Sequence, residues 1–157
     1  MTTQEKDLLL QDISGRLKYG VKCALCGRWE KENGGNFNGY YTLHAVATDK
    51  TWLDADNYPC LCSFEGVSTP MDLTELKPYL RPMDYMTEEE IKEFTKLIFI
   101  SDSTSYGYLK ECVLYSMYTS KAIDWLNKKH FDYRDLIPMG LAIAVTKENN
   151  PYENNNN

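Results

Sequence analysis

The chain has 157 residues, a net charge of −6 and 43% apolar side chains. That length suits one domain, or a small domain with a helical appendage, and the apolar share supports a core, which excludes wholesale disorder. An acidic chain repels phosphate backbones, so nucleic acid is a disfavoured partner, and no run approaches the roughly 18–20 apolar residues of a membrane span.

Thr2 or Thr3 caps a first helix with Glu5 in its first turn. Residues 1–7 are acidic and polar and lack the basic start and apolar run of a signal peptide, which predicts a cytoplasmic chain with reduced cysteines. Leu9, Ile13 and Leu17 recur at helical spacing, and Gly15 weakens the helix near its close. Residues 19–26 alternate as a strand. Residues 27–39 are a loop rich in Asn-Gly turn chemistry.

Residues 40–48, 51–58 and 60–67 read as further strands with tight connections. Together they predict a small curved antiparallel sheet or an SH3-like barrel over residues 18–68. Asp72 caps a short turn carrying Leu73 and Leu76. Pro78 and Pro82 bracket Tyr79, Leu80 and Arg81, which are therefore extended or turn-like.

Residues 72–130 read as mainly helical. Thr87 and Glu90 make a capping box ahead of the apolar stripe Ile91, Phe94, Leu97 and Ile98. A long helix is expected over 106–129. It carries Leu109, Val113, Ile123 and Leu126 beside a stripe of Tyr108, Cys112, Tyr115 and Tyr118. That apolar-aromatic face is wider than one flanking sheet requires, and a homodimer through it would explain the surplus. Aromatics make up 13% of the chain, with twelve tyrosines, a residue whose apolar body and polar tip suit interfaces. Residues 141–145 form a last strand or extended segment. The domain is expected to close at 148, with 149–157 disordered for want of apolar side chains.

Candidate chemistry is sparse. Cys23 and Cys26 have zinc-knuckle spacing, and Cys60 and Cys62 would supply two more thiols. The second pair is C-x-C on one strand face, and three-residue spacing in a strand sends Cys23 and Cys26 to opposite faces, so buried or edge thiols are expected and no metal or cofactor is predicted. His44 lies in an alternating strand and reads as a sheet residue. His130 follows the long helix, where an imidazolium would meet the negative end of the dipole. Asp54 and Asp56 share a strand face and read as solvated. No nucleophile elbow, H-E-x-x-H or glycine-rich phosphate loop appears.

Residues 130–137 form a polar-aromatic elbow between helix and last strand. Such an elbow either locks two layers together or presents a binding surface. Asp132, Arg134 and Asp135 are expected to form a local ion network covered by Trp125 and Phe131, with Tyr133 presenting its hydroxyl. Arg81 pairs with an acid of the elbow or reaches an anion. The candidate partner-binding set is therefore Arg81, Trp125, His130, Tyr133 and Arg134, with no catalytic residue assigned.

Three blocks in this order resemble a family. They are residues 8–21 (Leu-Leu-Leu-Gln-Asp-Ile-Ser-Gly-Arg-Leu-Lys-Tyr-Gly-Val), residues 75–83 with Met86 to Glu90, and residues 125–142 around Phe131-Asp132-Tyr133-Arg134-Asp135-Leu136-Ile137-Pro138-Met139-Gly140. Together they cover about half the chain and resemble a group of short uncharacterised proteins of Bacteroides-type phages and prophages. The resemblance implies a phage or mobile-element origin and carries no activity over. Asp135 stands where it leads one to expect glycine, and the Cys23/Cys26 spacing is not a feature of the group.

The expected architecture is α+β: a curved antiparallel sheet or SH3-like barrel with an N-terminal helix and two C-terminal helices packed on it. The expected role is a non-catalytic phage accessory protein in the host cytoplasm that binds a host protein or a signalling nucleotide and blunts antiviral defence. The alternatives are a nucleic-acid-associated module and a small enzyme using His130 or cysteine.

Overall fold

The computed structural model describes residues 1–26, 40–46, 60–64, 67–98 and 119–153. Within these the fold is mixed α+β. Three helices are described, α1 (Thr3–Arg16), α2 (Glu88–Thr95) and α3 (Ser120–Lys128). Six strands accompany them: β1 (Lys22–Leu25), β2 (Tyr41–Val46), β3 (Cys60–Phe64), β4 (Val67–Met71), β5 (Leu76–Leu80) and β6 (Ile143–Ala144).

The helix starts are written locally. Thr2 Oγ1 accepts from the Glu5 amide (3.2 Å) while Glu5 Oε2 accepts from the Thr2 amide (2.6 Å). Thr87 and Glu90 repeat the exchange at α2, at 3.2 and 3.1 Å. Each pair satisfies two amides that the helix itself leaves open. Thr119 caps α3 by accepting from the Ala122 amide with an extended backbone (ψ 158°). That extended residue overturns the single helix expected over 106–129: α3 begins at Ser120. Tyr108, Cys112, Tyr115 and Tyr118, and with them the proposed dimer face, lie outside the described residues, as do Asp54 and Asp56.

The strands order as β4-β3-β2-β1-β5-β6. All neighbours are antiparallel except β5 and β6, which pair in parallel with Tyr79 opposite Ile143 and Leu80 opposite Ala144. The described strands form an open ladder with β4 and β6 at its edges. Two sequence expectations change. The sheet is mixed rather than purely antiparallel, and within the stretch read as mainly helical residues 76–80 form β5, inside the sheet beside β1. The cause is Pro78 and Pro82. They force extended backbone after the apparent end of the β region, and Leu76, Pro78 and Leu80 alternate inward.

Two cores result. One lies between the sheet and α1 and holds Leu9, Ile13, Val21, Leu43, Leu76 and Leu80. The other gathers Met83, Phe94, Ile98, Ala122, Leu126 and Phe131. Gly15 permits the close approach of α1 and α3, because a Cβ there would stand 2.9 Å from Asn127 Nδ2. No described helix is long and apolar enough to cross a membrane.

Of residues 149–157, expected to be disordered, 149–153 are described, and Pro151 and Tyr152 among them are packed. Pro151 is buried, and the Tyr152 ring stacks on His130 with centroids 4.1 Å apart. One tyrosine and one proline anchor a segment whose average composition is polar, and a composition window does not register two anchors.

Candidate functional site: the elbow of residues 130–140

The elbow begins where α3 ends. His130 has φ 57°, its amide donates to Asn127 O (3.2 Å), and the Phe131 amide donates to Leu126 O (3.0 Å). This pair of bonds is the Schellman closure, in which the left-handed position usually falls to glycine. Phe131 then folds back onto Trp125, with stacked rings 5.8 Å apart.

From there the chain is tied to β5. Arg81 N donates to His130 O and Asp132 N donates to Arg81 O, both at 2.8 Å, a one-residue parallel bridge beyond the end of the strand. The elbow thus joins the two cores. Phe131 and Tyr133 belong to the helical one, Leu136 and Leu141 to the one under the sheet.

The polar side chains hold this joint from inside. Arg16 is fully buried (0% exposed). Its Nε and Nη2 meet the two oxygens of Asp12 at 2.7 and 2.8 Å, and Nη2 also reaches Phe131 O at 2.8 Å. Burial disfavours the Arg16 charge, but Asp12 more than offsets it and raises the guanidinium's pKa. The buried carboxylate of Asp132 accepts from the Leu136 and Ile137 amides, both at 2.8 Å. Burial pushes the Asp132 carboxyl above its ordinary range, and the two amide bonds offset only part of that.

The candidate residues fall as follows. Arg81 forms a two-bond pair with Glu90 of α2 (2.8 and 2.9 Å) and lies over the Phe131 ring at 4.2 Å. Its partner is therefore not an acid of the elbow. Burial raises the Glu90 pKa, but the Arg81 guanidinium and the Thr87 amide outweigh it and hold Glu90 below the usual carboxylate range. Trp125 packs between Phe94 and Phe131. Tyr133 turns its hydroxyl inward, donating to Asn127 Oδ1 at 3.1 Å. Arg134 contacts Gln11 (3.1 Å) and Asp12 (3.5 Å) rather than Asp132 or Asp135.

His130 is 7% exposed. Burial, with Arg16, Arg81 and Lys22 adding like charge, pushes its pKa down to about 3. The imidazolium expected at the helix end is thus a neutral ring, and His130 caps α3 through its backbone. Arg81 and Trp125 share one side of the elbow, while Tyr133 and Arg134 sit on the α1 side with Asp12 and Arg16. His130 faces the sheet.

Sequence reasoning missed Asp12, Arg16, Asn127 and Tyr152. Asp12 and Arg16 were findable. They stand four apart on the stripe of Leu9 and Ile13, where a charge pair at i, i+4 either interrupts the apolar face or is buried with it.

What the elbow exposes is its tip. Gly140 (φ 72°) closes the turn, with its amide on Ile137 O and the Leu141 amide on Leu136 O, both at 2.9 Å. Pro138 and Met139 project, Met139 with 43% of its surface exposed. Asp135 has φ 57°, the conformation glycine adopts most easily, at the position where the resemblance leads one to expect glycine. Replacing a non-glycine residue there removes a clash of about 1 kcal/mol and adds unfolded-state freedom of slightly smaller size. Asp135→Gly is therefore expected to stabilise by about 0.5 kcal/mol, and Asp135→Val to destabilise by about 1–2 kcal/mol, read from urea midpoints.

Elsewhere, a groove of about 630 Å³ runs between α1 and α3 past Gly15, Leu17, Ile123 and the Lys18–Asp124 ion pair. Cys23 lies in the inner core, and Cys26 Sγ reaches Thr74 O at 3.5 Å. Among the described residues no group of three or more His, Cys, Asp and Glu is placed to hold a metal.

Comparison with protein-family models, with curated proteins and with solved structures returns no match.

Proposed function

We propose that this chain is a non-catalytic phage accessory protein that acts by binding, and that it opposes host antiviral defence by occupying a host protein. The observation that carries the reading is the exposed tip Pro138–Met139 on a turn fixed from within by Asp132 and Gly140. An apolar residue held in one conformation binds with less ordering cost than one on a loose loop. A protein partner fits better than a signalling nucleotide because the elbow arginines already face carboxylates, Arg81 on Glu90 and Arg134 on Asp12. A phosphate would have to compete with both. The three sequence blocks that resemble phage proteins support the origin, and this reading otherwise rests on the chemistry of the tip.

The test is native mass spectrometry of the chain recovered from infected host cells, paired with plaque counts on a restricting host. A stoichiometric protein passenger is expected, with plaque recovery that scales with the amount of chain. Met139→Asp is expected to lose passenger and recovery together while its Tm stays within about 2 °C, since the substitution is on the surface. Recovery at trace amounts, or multiple turnovers on any substrate, overturns the proposal.

A further inference from the structure

Tyr152 occupies a defined place. β1 and β5 pair from Cys23–Pro78 to Leu25–Leu76. At the next rung the strands are joined by the Tyr152 hydroxyl, which accepts from the Lys22 amide (3.2 Å) and donates to Tyr79 O (2.9 Å). Its ring lies flat on the imidazole of His130, 12° from parallel. The approach is made by a short run of side chain–backbone turns. The Thr146 amide meets Asn149 Oδ1 (2.6 Å), Asn149 Nδ2 meets Ala144 O (3.0 Å), and the Tyr152 amide meets Asn150 Oδ1 (3.0 Å). Thr146, Glu148 and Asn149 are at or near the surface, so the segment is held mainly by its two ends.

The imidazole under Tyr152 is badly placed to accept a proton. Nδ1 is buried without a hydrogen-bond partner among the described residues. Charging the ring would add a donor with nothing to receive it. The groups around it are cationic or neutral: Arg16 from α1, Lys22 and Cys23 from β1, Tyr79 and Arg81 at the end of β5, and Tyr152 itself. The Tyr19 backbone offers one bond that favours the charged form. Asp12 reaches the region but is engaged by Arg16 and Arg134.

We infer that residues 146–152 are an acid-released strap: protonation of His130 from solution drives Tyr152 off the imidazole and out of the gap between β1 and β5. With the strap open, the ring meets water and regains affinity for protons, although Arg16, Arg81 and Lys22 still hold it below the ordinary histidine value.

The sign follows from linkage. Burial and the neighbouring cations hold the covered His130 down to about 3, and opening relieves the burial, so the open form binds more protons at pH values between about 3 and the ordinary histidine value of about 6.5. Opening therefore increases as pH falls through that window and is indifferent to pH above it. Going from pH 7 to pH 5 multiplies the open fraction severalfold, up to a limit of about 25 for an open ring with the ordinary histidine value.

Hydrogen exchange of the full chain, corrected for intrinsic rates, tests this. Protection of the amides of residues 146–153 is expected to drop severalfold, by at most about 25-fold, from pH 7 to pH 5 while α1 and β2 keep theirs. His130→Asn tolerates the left-handed backbone and carries no titrating ring. It is expected to show a pH-independent strap. Where that variant does not fold, Tyr152→Ala serves: its His130 is expected to titrate well above 3. Loss of strap protection only together with α1, a pH dependence that survives in His130→Asn, or a His130 that still titrates near 3 in Tyr152→Ala overturns the inference.

Discussion

Asp12→Ala is expected to destabilise the protein by about 3–5 kcal/mol, enough to unfold a marginal domain of this size. Asp12 is the partner of a fully buried guanidinium, and its two oxygens take Arg16 Nε and Nη2 at 2.7 and 2.8 Å. Removing the carboxylate leaves a cation inside the core with, among the described residues, Phe131 O as its hydrogen-bond acceptor and the Tyr133 ring 5.4 Å away. Arg16→Met is expected to be milder, by about half, since its long apolar stem fills the same space and the carboxylate it strands still has Arg134 within 3.5 Å. The combined variant is expected to recover part of the Asp12→Ala loss, because both charges then leave the core. Urea unfolding of the four proteins closes the cycle. Equal losses for the two single variants, with full additivity in the double, would show that the pair does not act as a unit.

Asp132→Ala is the second large effect, expected at about 3 kcal/mol. The carboxylate satisfies the Leu136 and Ile137 amides together, and each abandoned buried donor costs about 1–3 kcal/mol. Asp132→Asn is expected to lose about half as much, since one oxygen remains to accept while its amide nitrogen faces the other N–H. Calorimetric Tm values rank the three. Burial works against the ionised state and raises the Asp132 carboxyl above its usual range, although the two amide bonds favour the carboxylate. The folded chain holds that proton longer than the unfolded one does. The group's contribution is therefore fully present below the ordinary carboxylate value and declines as pH climbs through the raised folded value. Asp132→Asn, which has no such titration, is expected to lose this part of the pH dependence. An Asn variant as damaged as Ala would mean that charge, not hydrogen-bond geometry, holds the turn.

Local signals were read well from the sequence because they depend on neighbours within four residues. Thr2 with Glu5, Thr87 with Glu90, and Asp72 with Glu75 all form the capping boxes or turns that their spacing announces. The extended 79–81 stretch follows from its flanking prolines. What stayed hidden depends on distance along the chain. Nothing near Arg81 says that its carboxylate is Glu90, across a turn and at the start of a helix, rather than Asp132 or Asp135. Nothing near Tyr133 says that its hydroxyl faces Asn127. The apolar period of 106–129 runs straight through Thr119, and period does not register the cap that starts α3 there. His130 was misjudged in charge state: a helix end favours an imidazolium, but Arg16, Arg81 and Lys22 converge on it only in three dimensions.

The bond from Arg16 to Phe131 O spans 115 residues and that from Lys22 to Tyr152 spans 130. Contacts this remote close late, since the intervening chain must first be brought together. During synthesis the first helix leaves the ribosome with a buried-type arginine and no carbonyl to receive it. α1 and β1 then wait for Phe131 and Tyr152 to emerge, and truncation between those two residues should leave a nascent chain that is sticky rather than merely shortened.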